Sequence, residues 1–306
     1  MSAPGQSAIA PAGLDSAIGL LVAGLVTASL SGAMLKMMSG ELNVAMITAG
    51  RYTGYLAVLM PLAAWRYGRQ VLHPPQWQAQ FIRAVLILGA TLTFVLSVMY
   101  LPLATAVAIL YIYPFIVAAL SPLMLGERGS TATWAGIALG FVGIVIVMRP
   151  DLGALNIGAV AALATGGFYA LHIIFTRKVA NSGPALVSNT YMAIVALALI
   201  LPFALWWWQP LSLRQSGILL FMGGVNALAH LLIINAFMRA SAPALAPFSY
   251  AELVGATASG FAFFGDIPNL ITVLGMAIIV GSGIMVSQSG NLGRLFARRR
   301  APSGGG

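Results

Sequence analysis

Uncharged apolar runs of about 20 residues recur along almost the whole chain, each long enough to cross a hydrocarbon core of about 30 Å as a helix. Ten are readable: 16–35, 44–64, 81–99, 103–125, 131–148, 157–176, 185–206, 215–236, 242–264 and 268–287. Backbone in lipid must satisfy its own hydrogen bonds, and runs this long and continuous do so as helices. The expected fold is therefore an all-α integral membrane protein of about ten transmembrane helices. Composition agrees, with 7% charged and 60% hydrophobic residues where a water-facing surface needs about 25% charged. The absence of cysteine excludes disulfides, thiolate metal sites and cysteine nucleophiles. MSAPGQSAIAPAGLD, residues 1–15, lacks the basic residues of a signal peptide, so the first run is expected to stay as a span.

Net charge is +9, which in a soluble domain would point to nucleic acid. Here the basic residues sort with the spans. With a cytoplasmic N-terminus, 11 of them fall in inner segments (Arg66, Arg69, Arg83, Arg128, Arg177, Lys178, Arg239 and the four of the tail). Three fall outside, namely Lys36, Arg149 and Arg214, and Arg51 lies within a span. That asymmetry follows the positive-inside rule. It predicts a multi-pass inner-membrane protein with both termini cytoplasmic and no nucleic-acid partner. The tail RLFARRR, Arg294–Arg300, fits either contact with anionic lipid headgroups or a disordered end.

The chain also resembles itself. A shift of 139 residues lays Leu125–Glu127 on Phe264–Asp266, Tyr111 on Tyr250, Gly136 on Gly275 and Ala138 on Ala277. These matches place a five-span unit at 1–150, a second at 151–290 and a basic tail at 291–306. An odd number of spans sets the two copies in opposite orientations, a transporter architecture whose substrate site lies between the halves.

YLPLATAVAILYIYPFIVAALSPLMLGERGSTATWAGIALGFVGIVIVMRP (Tyr100–Pro150) and its repeat NAFMRASAPALAPFSYAELVGATASGFAFFGDIPNLITVLGMAIIVGSG (Asn235–Gly283) resemble the EamA group of the drug/metabolite transporter superfamily. The resemblance implies ten helices in two inverted five-helix halves, no ATPase and no cofactor. Its cargoes include amino acids, nucleotide sugars, vitamins and S-adenosylmethionine. TAGRYTGY around Arg51 and FIRAVLILGATLTF resemble the riboflavin and S-adenosylmethionine carriers of that group.

Motifs for catalysis or nucleotide binding (HExxH, GxSxG, GxxxxGK[ST]) are absent from the sequence. The expected function is ATP-independent secondary transport of a small organic metabolite by alternating access, with a small-molecule substrate and membrane lipids as partners and a proton as the candidate coupling ion. The competing classes are a membrane-embedded enzyme and a structural scaffold. Glu252, the only charge in 242–264, sits near mid-membrane, where a carboxylate costs about 2.5–3.5 kcal/mol unless compensated. It is expected to be held protonated, to pair with Arg51 or His230, or to face a wet cavity, lining the cargo site and either binding a cationic or amino group or taking up the coupling proton; a buried hydrogen-bonded strut is the structural alternative. Arg51 either snorkels to headgroups or meets an anion. Asn226 and His230 share a helix face with Gly223, as a cavity stripe or an interhelical bond. Tyr111, Tyr113 and Pro114 lie opposite Pro247 and Tyr250 in the repeat; matched helix breaks mark transporter sites, and plain packing is the alternative. Tyr169 and His172, three apart, are expected near the cytoplasmic end with the histidine hydrated; a functional role is the alternative. Trp206–Trp208 read as an interfacial belt, and Gly136, Gly140, Gly143 and Gly275 as close-packing positions. No metal ligands are expected.

Overall fold

A computed structural model describes residues 11–125, 130–148, 156–179 and 182–300. Its helices are α1 (Pro11–Ser39), α2 (Val44–Tyr67), α3 (Trp77–Tyr100), α4 (Leu103–Leu110), α5 (Tyr113–Leu125), α6 (Thr131–Met148), α7 (Ile157–Val179), α8 (Ala185–Trp206), α9 (Leu213–Arg239), α10 (Ala242–Leu245), α11 (Ala251–Phe264) and α12 (Leu270–Arg300). No strand occurs among the described residues. The expectations for Glu127, Arg128, Arg149 and Asp151 lie outside them. Helix α12 continues through the basic tail as far as Arg300.

Local chemistry sets several boundaries. The Asn43 side chain accepts the Met46 N–H at the start of α2. Ser212 and Gln215 form a reciprocal capping box at the start of α9, satisfying donors that a helix start leaves free. Two of the expected spans are broken. Run 103–125 divides into α4 and α5 at Tyr111–Ile112, because Pro114 has no N–H to continue the ladder and starts a new helix well. Run 242–264 becomes α10, a 3-10 turn at Ala246–Tyr250 containing Pro247, and α11.

Eight of the helical segments are long and apolar enough to cross a membrane, counting α4 and α5 as one. The sequence led us to expect about ten. The two that differ are run 44–64, diluted by Arg51, Thr48, Thr53 and the tyrosines of α2, and run 242–264, cut short by its break. Both departures lie where polar residues collect inside the bundle. The perimeter is apolar: Leu123, Val254 and Phe261 are 82%, 70% and 60% exposed, a surface that only lipid would cover favourably. Trp206, Trp207 and Trp208 are all exposed near the end of α8, as a headgroup belt requires.

Helices pair across the middle of the chain. Helix α1 packs on α9 and α11, α7 packs on α3 and on α4–α5, α2 meets α8 and α9, and α6 meets α12. Two of these contacts are backbone-close because glycine faces glycine. A Cβ on Gly143 would lie 3.0 Å from the Gly275 carbonyl oxygen in the α6–α12 crossing. In the α2–α9 crossing, a Cβ on Gly223 would lie 2.3 Å from the Arg51 carbonyl oxygen. Small residues that let backbones approach are how membrane helices gain packing when lipid is as apolar as the partner.

Candidate functional site

The α2–α9 approach brings Arg51 against α9. Its Nη2 donates to Asn226 Oδ1 at 3.0 Å and its Nη1 to Thr91 Oγ1 of α3 at 3.5 Å, while its Nε has no partner. Arg51 therefore turns into the bundle rather than toward headgroups. One helical turn on, Tyr55 holds His230 through a 2.8 Å hydroxyl–Nδ1 bond, the two rings standing edge to face. Tyr52 adds a 3.2 Å bond to Thr91. Gly223, placed on the same stripe as Asn226 and His230, packs on α2 instead and makes their contacts with that helix possible.

These groups line an interior cavity of about 170 Å³. Arg51, Asn226, His230 and Glu252 all stand in its walls. Apolar side chains from α1, α3 and α4 (Leu25, Phe94, Leu103, Val107 among them) complete it, together with Tyr169 and Thr165 of α7. Glu252 lies in the first turn of α11, just after the 3-10 break, and forms no ion pair with Arg51 or His230 among the described residues. Its Oε2 meets the Tyr111 hydroxyl at 3.2 Å.

Tyr111 stands at the other helix break, and its hydroxyl also reaches the Ser249 carbonyl at 2.7 Å. A hydroxyl carries one proton. When that proton is on Ser249, Glu252 can join the hydroxyl only as a carboxylic acid. An ionised Glu252 must instead draw the Tyr111 proton to itself, leaving the Ser249 carbonyl without that hydroxyl donor; the Ala251 N–H also points at this carbonyl. The two breaks thus meet at Glu252: Tyr111 packs on Tyr250 at 5.2 Å and on Tyr113 at 5.5 Å between ring centroids. Tyr111, Tyr113 and Tyr250 do not line the cavity; Tyr111 and Tyr250 are buried.

His172 is not hydrated as expected. It is buried, with Nδ1 at 3.1 Å from the Arg83 carbonyl oxygen. Arg83 itself, read from sequence as an inner-edge charge, is buried and donates to Thr176 at 2.9 Å and to Gln80, which holds Ser188 at 2.7 Å. Packing of α3 against α7 and α8 closes over this cluster. Sequence reasoning overlooked Tyr52, Tyr55 and Thr91 at the site. Tyr55 was findable, because it follows Arg51 by four residues and so shares its helix face; Thr91 carried no comparable signal. No group of three or more metal-binding side chains occurs among the described residues.

Comparison with known proteins gives the same picture. A profile of the EamA-like transporter family matches residues 15–149 and again 156–288. The chain is 24% identical to an S-adenosylmethionine uptake transporter of Rickettsia prowazekii, over 87% of this chain and 90% of that protein. It is 27% identical to a riboflavin transporter of Vibrio cholerae, over 90% and 93% of the two chains, and 26% identical to a pseudopaline exporter of Pseudomonas aeruginosa, over 90% and 97%. A solved crystal structure superposes with a TM-score of 0.63 at 20% identity, covering 94% of this chain and 99% of the other, a likeness of fold. A helical membrane-spanning bundle with an interior polar cavity, matched twice by one family profile, belongs to the EamA-like transporter family.

Proposed function

We propose that the protein is a secondary transporter of a small organic metabolite, carrying it through the cavity by alternating access without ATP. The observation that carries this reading is the position of Glu252: an acid at the meeting point of two helix breaks, in the wall of a solute-sized interior cavity. The sequence carries none of the catalytic motifs HExxH, GxSxG or GxxxxGK[ST] that an enzyme reading would draw on. A scaffold would have no use for a polar cavity. The relatives named for S-adenosylmethionine uptake, riboflavin transport and pseudopaline export support a metabolite cargo.

In this reading ten spans form two inverted five-helix units, 1–150 and 151–290. The reciprocal pairing supports it: α1 with α9 answers α7 with α3, and α1 with α11 answers α7 with α4–α5. Each such pair exchanges under a five-helix shift. The cell inner membrane and cytoplasmic termini follow from the charge asymmetry, and the small solute and surrounding lipid are the partners. Glu252 is the carrier of a coupling proton, since the Tyr111 hydroxyl has two distinct arrangements for its acid and its carboxylate. Arg51, Asn226 and His230 contact cargo, and Tyr111, Tyr113 and Tyr250 hold the Glu252 side of the site in place.

Reconstitution into liposomes tests this. Purified protein should move solute down a substrate, proton or voltage gradient with no nucleotide present. Glu252→Gln should reach the membrane in normal amount and lose flux or its pH dependence. Flux that requires ATP and a soluble partner, or an unchanged pH profile in the glutamine variant, would refute the respective part.

A further inference from the structure

Resting on the reading of Glu252 as carrier of a coupling proton, we infer that Gly283 of α12, which does not line the cavity, is a positioning residue for that proton site: it forms the socket in which Tyr250 sits, and the seated Tyr250 holds Tyr111 at the Glu252 carboxyl.

Gly283 is buried, and the space of its missing side chain is taken by another residue. A Cβ built there would fall on the Tyr250 hydroxyl oxygen and lie 2.5 Å from Cζ and 3.3 Å from Cε1 of the same ring. The three nearest atoms from outside the local helix all belong to Tyr250, so the notch fits one side chain. Gly281, two residues earlier on α12, is exposed, and a Cβ on it meets nothing within 4 Å. A mid-helix glycine costs about 1 kcal/mol relative to alanine; at 283 the tyrosine accounts for that cost.

From the socket the contacts run to the acid. The Tyr250 ring packs on Tyr111 with centroids 5.2 Å apart. Tyr111 is 1% exposed, and its hydroxyl stands 3.2 Å from Glu252 Oε2. Tyr250 also closes the 3-10 turn Ala246–Tyr250, two residues before Glu252. Hydrogen bonds in such a turn are poorer than α-helical ones, and Pro247 removes a donor from this one, so the turn takes its position from what holds it. Ser29 of α1 holds one point, its hydroxyl donating to the Glu252 carbonyl at 3.0 Å. Gly283 holds the other: α1 fixes the backbone of the acid, and α12 fixes the tyrosines that meet its side chain.

In Gly283→Ala, returning Cζ from 2.5 Å to an ordinary 3.4 Å moves the Tyr250 ring by about 1 Å. Tyr111 is packed against that ring, so its hydroxyl moves too, and a 3.2 Å bond lengthened by a comparable amount is no longer one. Plain packing predicts a loss of stability alone, whereas positioning predicts that the titration of Glu252 changes with it. The other titratable groups in the cavity walls are Arg51, Tyr52 and Tyr55 on α2, Tyr169 on α7 and His230 on α9; the walls from α1, α3, α4 and α8 carry none. Helix α12 packs instead on α6 and on the two broken segments. A change at 283 therefore reaches Glu252 through Tyr250 and Tyr111, with Tyr113 beside them.

Infrared titration of the purified full-length protein in lipid tests this independently of any cargo. The carboxyl band that disappears in Glu252→Gln belongs to Glu252. In Gly283→Ala its pH midpoint should shift by about half a unit or more, the worth of one hydrogen bond, and its stretching frequency should move as well. Gly281→Ala should leave both unchanged. Tyr250→Leu, which empties the socket without overpacking, should also shift them and decides alone if Gly283→Ala does not fold. Gly283→Ala/Tyr250→Phe, which removes the clashing hydroxyl, should recover part of the shift. The inference is overturned if Gly283→Ala and Tyr250→Leu both keep the original midpoint and frequency, or if Gly281→Ala moves them as far. A Glu252 band that does not titrate overturns the proton-carrier reading instead, and its frequency in the same variants still decides the role of Gly283.

Discussion

Gly223 and Gly224 are neighbours in α9, and the structure predicts opposite consequences for placing alanine at each. A Cβ on Gly223 would lie 2.3 Å from the Arg51 carbonyl oxygen and 2.5 Å from the Tyr55 nitrogen. These are backbone atoms of α2, so no side chain can swing away. Opening the contact to the 3.4 Å of ordinary packing separates α2 from α9 by about 1 Å. The 3.0 Å bond from Arg51 to Asn226 would then lengthen to about 4 Å, beyond hydrogen-bonding distance. Overpacking costs about 1–3 kcal/mol and loss of a bond to a charged group about 1.5–3 kcal/mol. The better helix propensity of alanine recovers at most about 1 kcal/mol. Gly223→Ala should therefore lose about 1.5 kcal/mol or more. On Gly224 the same Cβ meets only Val58 Cγ2 at 3.6 Å, so Gly224→Ala should be neutral or gain up to about 1 kcal/mol. Unfolding of the purified variants, followed by fluorescence of the six tryptophans, reads the difference directly. Equal midpoints for the two variants would refute the claim that backbone contact at Gly223 seats α2 on α9.

The Lys36–Asp266 pair, 2.6 Å long with side chains 16% and 26% exposed and the Lys36 ammonium over the Phe264 ring at 4.7 Å, ties α1 to the end of α11. Lys36→Met or Asp266→Asn should release on the order of 1 kcal/mol, raising about fivefold the labelling of a cysteine placed at Ser29 in this cysteine-free chain by a membrane-impermeant reagent added outside; the double exchange Lys36→Asp/Asp266→Lys should restore the slow rate. Arg83→Leu should destabilise by about 2 kcal/mol, because Thr176 and Gln80 lose their buried donor, and an unaltered unfolding midpoint would contradict that. Reporter fusions after Arg83, Arg128, Lys178, Arg239 and the tail should score cytoplasmic and those near Glu41, Asp151, Arg214 and Asp266 external; a consistent inversion would overturn the orientation.

Much of this architecture is written one-dimensionally. A span declares itself by length and lack of charge, because lipid acts on each helix separately. Thus α3, α6, α8 and α9 fall where their apolar runs lie, and the prolines at 114 and 247 announce two breaks. Glu252 and Arg51 were visible for the same reason, since a charge is conspicuous in a run that lipid should exclude. Partnership is another matter. Hydrogen bonds between α2 and α9 link residues 175 positions apart in the chain, and they depend on a glycine contact whose register only packing sets. The sequence therefore left Glu252 with three candidate answers, and tertiary structure alone put Tyr111, from the opposite break, at its oxygen. Arg83 and His172 make the same point in reverse: their positions near a helix end suggested water, and the closing of α3 on α7 and α8 buried them. Charge and length determine what must lie within the membrane; which groups meet there is decided by helices approaching one another in three dimensions.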